Sequence, residues 1–152
     1  MFVDASAIIG IIAMEEDAGS LAGRLSQARR PRTSAVAVFE AATGLARIAN
    51  APVGQTLALV GRFLKEINAT VVAIDGDTAA SAAAVFDRFD KGRHPAALNM
   101  GDCFAYACAR QGDAKLLCKG NDFPRTDITL ASEIGSGRLE IAKSARRGYL
   151  IR

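Results

Sequence analysis

Four acidic residues stand where a chain could gather them around one cation. They are Asp4 in Met1-Phe-Val-Asp-Ala-Ser6, Glu40 in Ser34-Ala-Val-Ala-Val-Phe-Glu40, Asp102 in Asn99-Met-Gly-Asp-Cys103 and Asp122 in Gly120-Asn-Asp-Phe123. Each lies at an expected strand end or helix start within an apolar stretch, where an ionised carboxylate is costly unless its charge is offset. Crowded like charges either take up protons or bind a cation. Oxygen donors of this kind suit a hard divalent ion such as Mg²⁺. Each residue also has a plainer reading. Asp4 after a strand is a natural helix cap, Glu40 a surface residue of a helix, Asp102 a first-turn acid and Asp122 ordinary turn chemistry.

The elements that must position these acids read as an α/β domain. Phe2-Val3 is a short buried strand that passes through Asp4 directly into a helix over Ala5–Met14, the opening of a parallel α/β unit. A second helix is expected over Asp17–Ala28, broken by Arg29-Arg-Pro-Arg32. Thr33-Ser34 ends a strand, and Ser34 caps a helix over Ala35–Ala49 on which Val36 and Phe39 are expected to face the core. After Asn50-Ala-Pro52, a helical stripe runs through Val53, Leu57, Val60, Leu64 and Ile67. Thr70–Ile74 reads as a central parallel strand. Asp75-Gly-Asp77 turns into a helix over 78–89, and Gly101–Arg110 is helical. Lys115–Cys118 is a strand, and Thr126–Leu130 is a candidate edge strand. In an open parallel sheet, ligands bind outside the carboxyl ends of the strands. The four acids therefore have a common rim on which to meet.

The 152 residues fit one domain, and 50% hydrophobic with 23% charged residues allows a real core. The net charge of +3 permits a polyanionic partner without demanding one. Cys103, Cys108 and Cys118 are an odd number without zinc or framework spacing, so buried, reduced thiols in a cytoplasmic protein are expected. No apolar run reaches the roughly 20 residues of a membrane helix, and no basic segment followed by an apolar run marks a signal peptide. The stretch 132–152 differs in character: Gly135-Ser-Gly137 resembles a linker, and Lys143, Arg146, Arg147 and Arg152 make it basic. It reads as a tail to a domain of residues 1–131, either a frayed helix, a binding arm or a cloning remnant.

Several of these pieces together resemble the PIN-domain family, specifically the VapC-type toxins of bacterial toxin–antitoxin pairs. The matching pieces are Val3-Asp-Ala-Ser6, Thr33-Ser34 with Glu40 six residues on, Gly92-Arg-His-Pro95, Leu98-Asn-Met-Gly-Asp-Cys-Phe-Ala-Tyr-Ala107 and Leu116-Leu-Cys-Lys-Gly-Asn-Asp-Phe123, covering residues 1 to about 130. The resemblance implies an α/β/α sandwich around a short, mostly parallel sheet, and an Mg²⁺-dependent endoribonuclease in which Mn²⁺ can substitute. On that footing Asp4, Glu40, Asp102 and Asp122 are the acidic quartet, with Ser6 and Asn121 as supporting polar groups. The family implies a homodimer and a cognate antitoxin that silences the toxin.

Such a site must also hold RNA. Arg29, Arg30 and Arg32 before the Glu40 helix, and Lys91, Arg93 and His94 before the Asp102 helix, either grip phosphates beside the acids or are solvated loops. Two other readings compete. One is a metal-dependent phosphohydrolase using Asp75 or Asp77, although Ala79 stands where an aspartyl-nucleophile signature wants Thr or Val, and the pair also reads as a helix cap and turn. The other is a non-catalytic binding module of the same fold, which would have no need for four crowded carboxylates. Glu15-Glu-Asp17 reads as a solvated helix junction.

Overall fold

In a computed structural model that describes residues 1–131, four short parallel strands form one sheet in the order β3-β2-β1-β4. The strands are β1 (Phe2–Val3), β2 (Arg32–Ser34), β3 (Thr70–Val72) and β4 (Leu116–Leu117). Six α-helices surround them: α1 (Ala5–Ile12), α2 (Ala18–Leu25), α3 (Ala35–Ala49), α4 (Val53–Glu66), α5 (Gly76–Phe89) and α6 (Met100–Gln111). The expected tail of residues 132–152 lies outside the described residues.

Strand alternation sorts the core into two layers. Val3 and Leu117 pack with α1, α2, α3 and α4, whereas Phe2 and Leu116 pack with α5 and α6. β1 and β4 are apolar and buried at every position because both of their faces are covered by helices. This is the α/β/α sandwich expected from the sequence. Parallel register is pinned by backbone bonds from Phe2 N–H to the Lys115 carbonyl (2.8 Å) and from Asp4 N–H to the Leu117 carbonyl (2.9 Å).

The helix starts follow from side-chain caps. The Asp4 carboxylate caps α1, Ser34 Oγ caps α3 by accepting from Ala37 N–H at 3.2 Å, and Asn99 caps α6. At the far end of α1, Met14 takes a left-handed φ of 57°, which stops the helix short of its expected length and turns the chain toward α2.

Four expectations are corrected. Thr70–Val72 is an edge strand, not a central one, because β2 lies between it and β1. Phe39 is 65% exposed rather than in the core, since α3 buries Ala37, Ala41, Ala42, Leu45 and Ala46 instead. On α4 the buried face is Thr56, Leu59, Val60, Phe63 and Leu64, which leaves Val53 and Leu57 exposed. A threonine can join that face because its hydroxyl donates to the Ala42 carbonyl at 2.7 Å. The candidate edge strand over 126–130 reduces to a single bridge between Leu116 and Leu130.

Candidate active site

All four strands run the same way, so everything that follows a strand emerges on one rim of the sheet. Asp4 leaves β1 there. Ser34 ends β2 there and starts α3, which brings Glu40 in its second turn back over the rim. Asp102 sits in the first turn of α6, and Asp122 follows β4 after the Lys119-Gly120-Asn121 bend.

Local hydrogen bonds aim each group. Asp4 is buried at 4% exposure, and its Oδ2 accepts from Ser6 N–H at 2.9 Å and Ser6 Oγ–H at 2.5 Å. Ser6 Oγ in turn accepts from Lys119 N–H at 3.0 Å, which ties the β4 loop to the β1 end. Asp102 belongs to a capping box: its Oδ2 accepts from Asn99 N–H at 2.9 Å while Asn99 Oδ1 accepts from Asp102 N–H at 3.1 Å. Glu40 has no such cap. Its carboxylate lies flat on α6 at Gly101, where the β-carbon of any larger residue would fall 2.0 Å from Oε1 and 2.3 Å from Oε2. Gly101 is thus the clearance that lets α3 and α6 bring their acids together.

The electrostatics show that the acids share one environment. Burial, then the charges of Asp4 and Asp102, push the Glu40 carboxyl up to about 7. Asp102 is raised to about 6 by burial, against the Asn99 bond that favours its charged form, and is raised further by Asp4 and Asp122. Burial raises Asp4 as well, opposed by the bonds from Ser6. Asp4, Asp102 and Asp122 also act together on the Cys118 thiol beneath them, which burial first of all helps push up to about 12. Among the described residues no Lys, Arg or His side chain forms an ion pair with Asp4, Glu40 or Asp102.

As the side chains stand, no three His, Cys, Asp or Glu among the described residues form a ready ligand set. Asp4 instead turns an oxygen onto Ser6, and Asp102 turns one onto its cap residue Asn99. The donor set nevertheless fits a hard divalent cation: it is all carboxylate oxygen, half-dry, and carries uncompensated charge.

A family model described as "PIN domain" matches residues 1–128. The chain is 38% identical over 136 residues to a VapC ribonuclease of Mycobacterium bovis and, equally, to ribonuclease VapC36 of Mycobacterium tuberculosis, covering 89% of this chain and 96% of each relative. A VapC ribonuclease of Rhizobium meliloti is 37% identical over 139 residues, covering 84% of this chain and 98% of that one.

This chain belongs to the PIN domain family.

A solved structure agrees in fold. Mycobacterium tuberculosis VapC20, titled a sarcin–ricin loop cleaving toxin, superposes with a TM-score of 0.70 at 16% identity, covering 88% of this chain and 98% of that one.

The other candidate residues distribute unevenly around this PIN domain. Ser6 joins Asp4 and the β4 loop, and Asn121 is exposed beside Asp122. Arg29 and Arg30 precede β2, and Arg32 opens it, so they lie at the opposite rim from the acids; Arg32 is next to Gly112 at the far end of α6. Lys91 is exposed in the loop before α6, whereas Arg93 pairs with Asp87 (3.6 Å) and Asp90 (3.7 Å). His94 Nδ1 accepts from Ala96 N–H and the ring packs edge-on to Phe89, a structural use. Asp75 Oδ1 caps α5, accepting from Thr78 N–H (2.9 Å) and Oγ1 (2.8 Å), and these bonds lower its pKa. That carboxylate is engaged as a helix cap. All three cysteines are free and buried.

Sequence reasoning missed Gly101 and the partners of Lys119. A glycine inside a helix costs stability relative to alanine, which was the available signal at Gly101. Glu15 and Asp17 were expected to be solvated, yet both pair with Lys119.

Two outcomes follow for the chain held in chelator. Glu40 and Asp102 bind protons more tightly when folded, so their charge destabilises the fold as pH rises from about 4.5 through about 7. The melting temperature in chelator is expected to fall between pH 5.5 and 8, and Glu40→Gln to flatten that fall; an equal slope in both proteins would contradict the coupling. Gly101→Ala is expected to displace the Glu40 carboxylate and to cost RNA cleavage roughly ten- to a hundredfold, a typical size for loss of a supporting contact. Wild-type cleavage in that variant would show that Glu40 need not rest on α6.

Proposed function

We propose that this chain is a metal-dependent endoribonuclease, the toxin of a toxin–antitoxin pair. The observation that carries the reading is that Asp4, Glu40, Asp102 and Asp122 follow strands or open helices on one rim of the sheet, where the charges of Asp4 and Asp102 reach Glu40 and those of Asp4 and Asp122 reach Asp102. The named VapC ribonucleases, 37–38% identical over nearly their whole length, support the same reaction.

Asp4 and Asp102 are the principal candidates to hold Mg²⁺ or Mn²⁺, with Glu40 and Asp122 completing the site. A bound divalent ion supplies charge neutralisation for the scissile phosphate and acidifies water. The chain's own residues do the rest. Ser6 fixes the direction of the Asp4 carboxylate, and Asn99 fixes that of Asp102. Glu40, its carboxyl held up near 7, takes a proton from the attacking water. The water oxygen forms a bond to phosphorus as the bond to the 3′ oxygen breaks, and that oxygen leaves with a proton from solvent. The products carry a 5′-phosphate and a 3′-hydroxyl. Lys91, exposed in the loop before α6, is the freer basic candidate to steady the phosphate chain, since Arg93 in the same loop pairs with Asp87 and Asp90 and Arg29, Arg30 and Arg32 lie at the opposite rim.

Exposed apolar side chains support protein partners. Phe39 and Met100, each 65% exposed, stand one and two residues before Glu40 and Asp102, where a docked antitoxin would cover the acids. Ile48, Val53 and Leu57 are exposed near the α3–α4 turn and support a homodimer. No helix among the described residues is long and apolar enough to cross a membrane. Three buried free thiols, each with a raised pKa, support a reducing, cytoplasmic setting.

Asp102→Asn is expected to lower Mg²⁺-dependent cleavage of single-stranded RNA by roughly two to three orders of magnitude, the size seen on removing one electrostatic stabiliser, with an unchanged circular-dichroism spectrum. Retained cleavage in that variant would sink the reading. Sedimentation equilibrium at micromolar chain is expected to give twice the chain mass; a monomer would remove the homodimer.

A further inference from the structure

We propose that Lys119 is a positioning residue that straps the Asp122 loop to the turn between α1 and α2, a role that rests on the active-site reading above. Lys119 is anchored twice. Its backbone N–H donates to Ser6 Oγ, the hydroxyl that in turn donates to Asp4. Its ammonium pairs with Glu15 Oε2 and stands 3.3 Å from Asp17 Oδ1.

The receiving end is rigid. Met14 is held at positive φ, Glu15 N–H donates to the Gly10 carbonyl at 3.0 Å, and Leu21 N–H donates to the Asp17 carbonyl at 3.0 Å. Both carboxylates lie over Gly10, within 3.5 Å (Glu15) and 3.7 Å (Asp17) of where a β-carbon there would be. Asp17 Oδ1 is shielded from water and accepts no well-aligned hydrogen bond, so the Lys119 ammonium is what offsets its charge. Removing that ammonium leaves two carboxylates facing each other with nothing between them.

The delivered end is otherwise loosely held. Gly120 turns the chain at φ 93°, and Asn121 and Asp122 are exposed. Beyond them the chain is fixed again by buried Phe123 and by Arg125 Nη1, which donates to the Pro95 carbonyl at 2.7 Å. Asp122 therefore spans a short bridge with Lys119 as its upstream pier. The pair is part-exposed, so its loss costs only modest global stability. Its removal acts on the placement of Asp122 and, through Ser6, of Asp4, and small misplacements of catalytic groups are expensive.

The test uses the full chain, with Mn²⁺ alone as probe and RNA cleavage as a second readout. Lys119→Met is expected to weaken Mn²⁺ binding in the absence of RNA about tenfold, and to lower kcat by a similar factor with KM for RNA little changed. The melting temperature in chelator is expected to fall only modestly. Lys119→Arg, and the charge exchange Lys119→Glu with Glu15→Lys, are expected to restore most of the Mn²⁺ affinity. A raised KM with unchanged kcat and Mn²⁺ affinity would overturn the strap and make Lys119 an RNA contact. Unchanged Mn²⁺ binding in Lys119→Met, in a chain where Asp102→Asn abolishes it, overturns the strap alone. Mn²⁺ binding that survives Asp102→Asn overturns the active-site reading, and the strap with it.

Discussion

The constraint on which the rest depends is the crowding of carboxylates on a half-dry rim. Glu40 and Asp102 are held up near 7 and 6 because burial strips water from them and other carboxylates face them. Two carboxylates side by side cannot both ionise cheaply. A fold that keeps such a cluster must hold it against its own repulsion, and here four separate chain segments do so. The sheet's parallel direction delivers Asp4 and the Ser34 cap to one rim. Helix α3 brings Glu40 in from above, and α6 offers a glycine for it to lie against. Reversing any one strand would send its acid to the other rim, where Arg32 now sits. The two-residue strands β1 and β4 matter less for their area than for this common polarity.

Much of that scaffold is written locally. Helix α3 begins after Ser34 and ends before Asn50, and both ends carry their reason in the residue itself: a hydroxyl that accepts from Ala37 N–H, and an asparagine that tolerates the left-handed φ of 48°. Asp4 and Asp102 were legible for the same reason, since a carboxylate at a strand-to-helix handover has a local purpose that also aims it. What was not legible is nonlocal. Whether Thr70–Val72 is central or at the edge depends on which strand β2 chooses as its second neighbour. The exposure of Phe39 depends on which face of α3 the small residues Ala37, Ala41 and Ala42 allow to approach α1 and α4. The pairing of Lys119 with Glu15 and Asp17 joins positions about a hundred residues apart in sequence, and nothing in the local pattern of either segment announces it.

The plainer readings of the acids as caps turn out to be compatible with the site. Asp4 is a helix cap and a buried acid at once; Asp102 is part of a capping box and stands in the field of Asp4 and Asp122. A cap bond favours the ionised carboxylate, and so does the dipole at a helix N-terminus. Desolvation and neighbouring carboxylates favour the protonated one. At Asp102 the second pair wins, because the carboxyl is raised despite its backbone donor. Asp75 caps α5 as Asp4 caps α1, but in full solvation, and there the shift runs downward where that of Asp4 runs upward. The contrast isolates the cause: the N-cap role is common to both, so the difference lies in burial.

That contrast also bears on what the cluster is for. If stability alone had placed these acids, the Asp75 arrangement would serve, a solvated cap that keeps its charge at no expense. Asp4 and Glu40 are instead drawn inward, and the nearest ammonium on the β4 loop, that of Lys119, is turned away toward Glu15 and Asp17. A lysine aimed into the cluster would neutralise it and make it inert as a ligand set. With that charge engaged elsewhere, the cluster relieves its repulsion by taking up protons or a cation, and a bound cation would also ease the approach of a polyanion such as RNA. The repulsion that makes the cluster costly is therefore also what would favour a cation there.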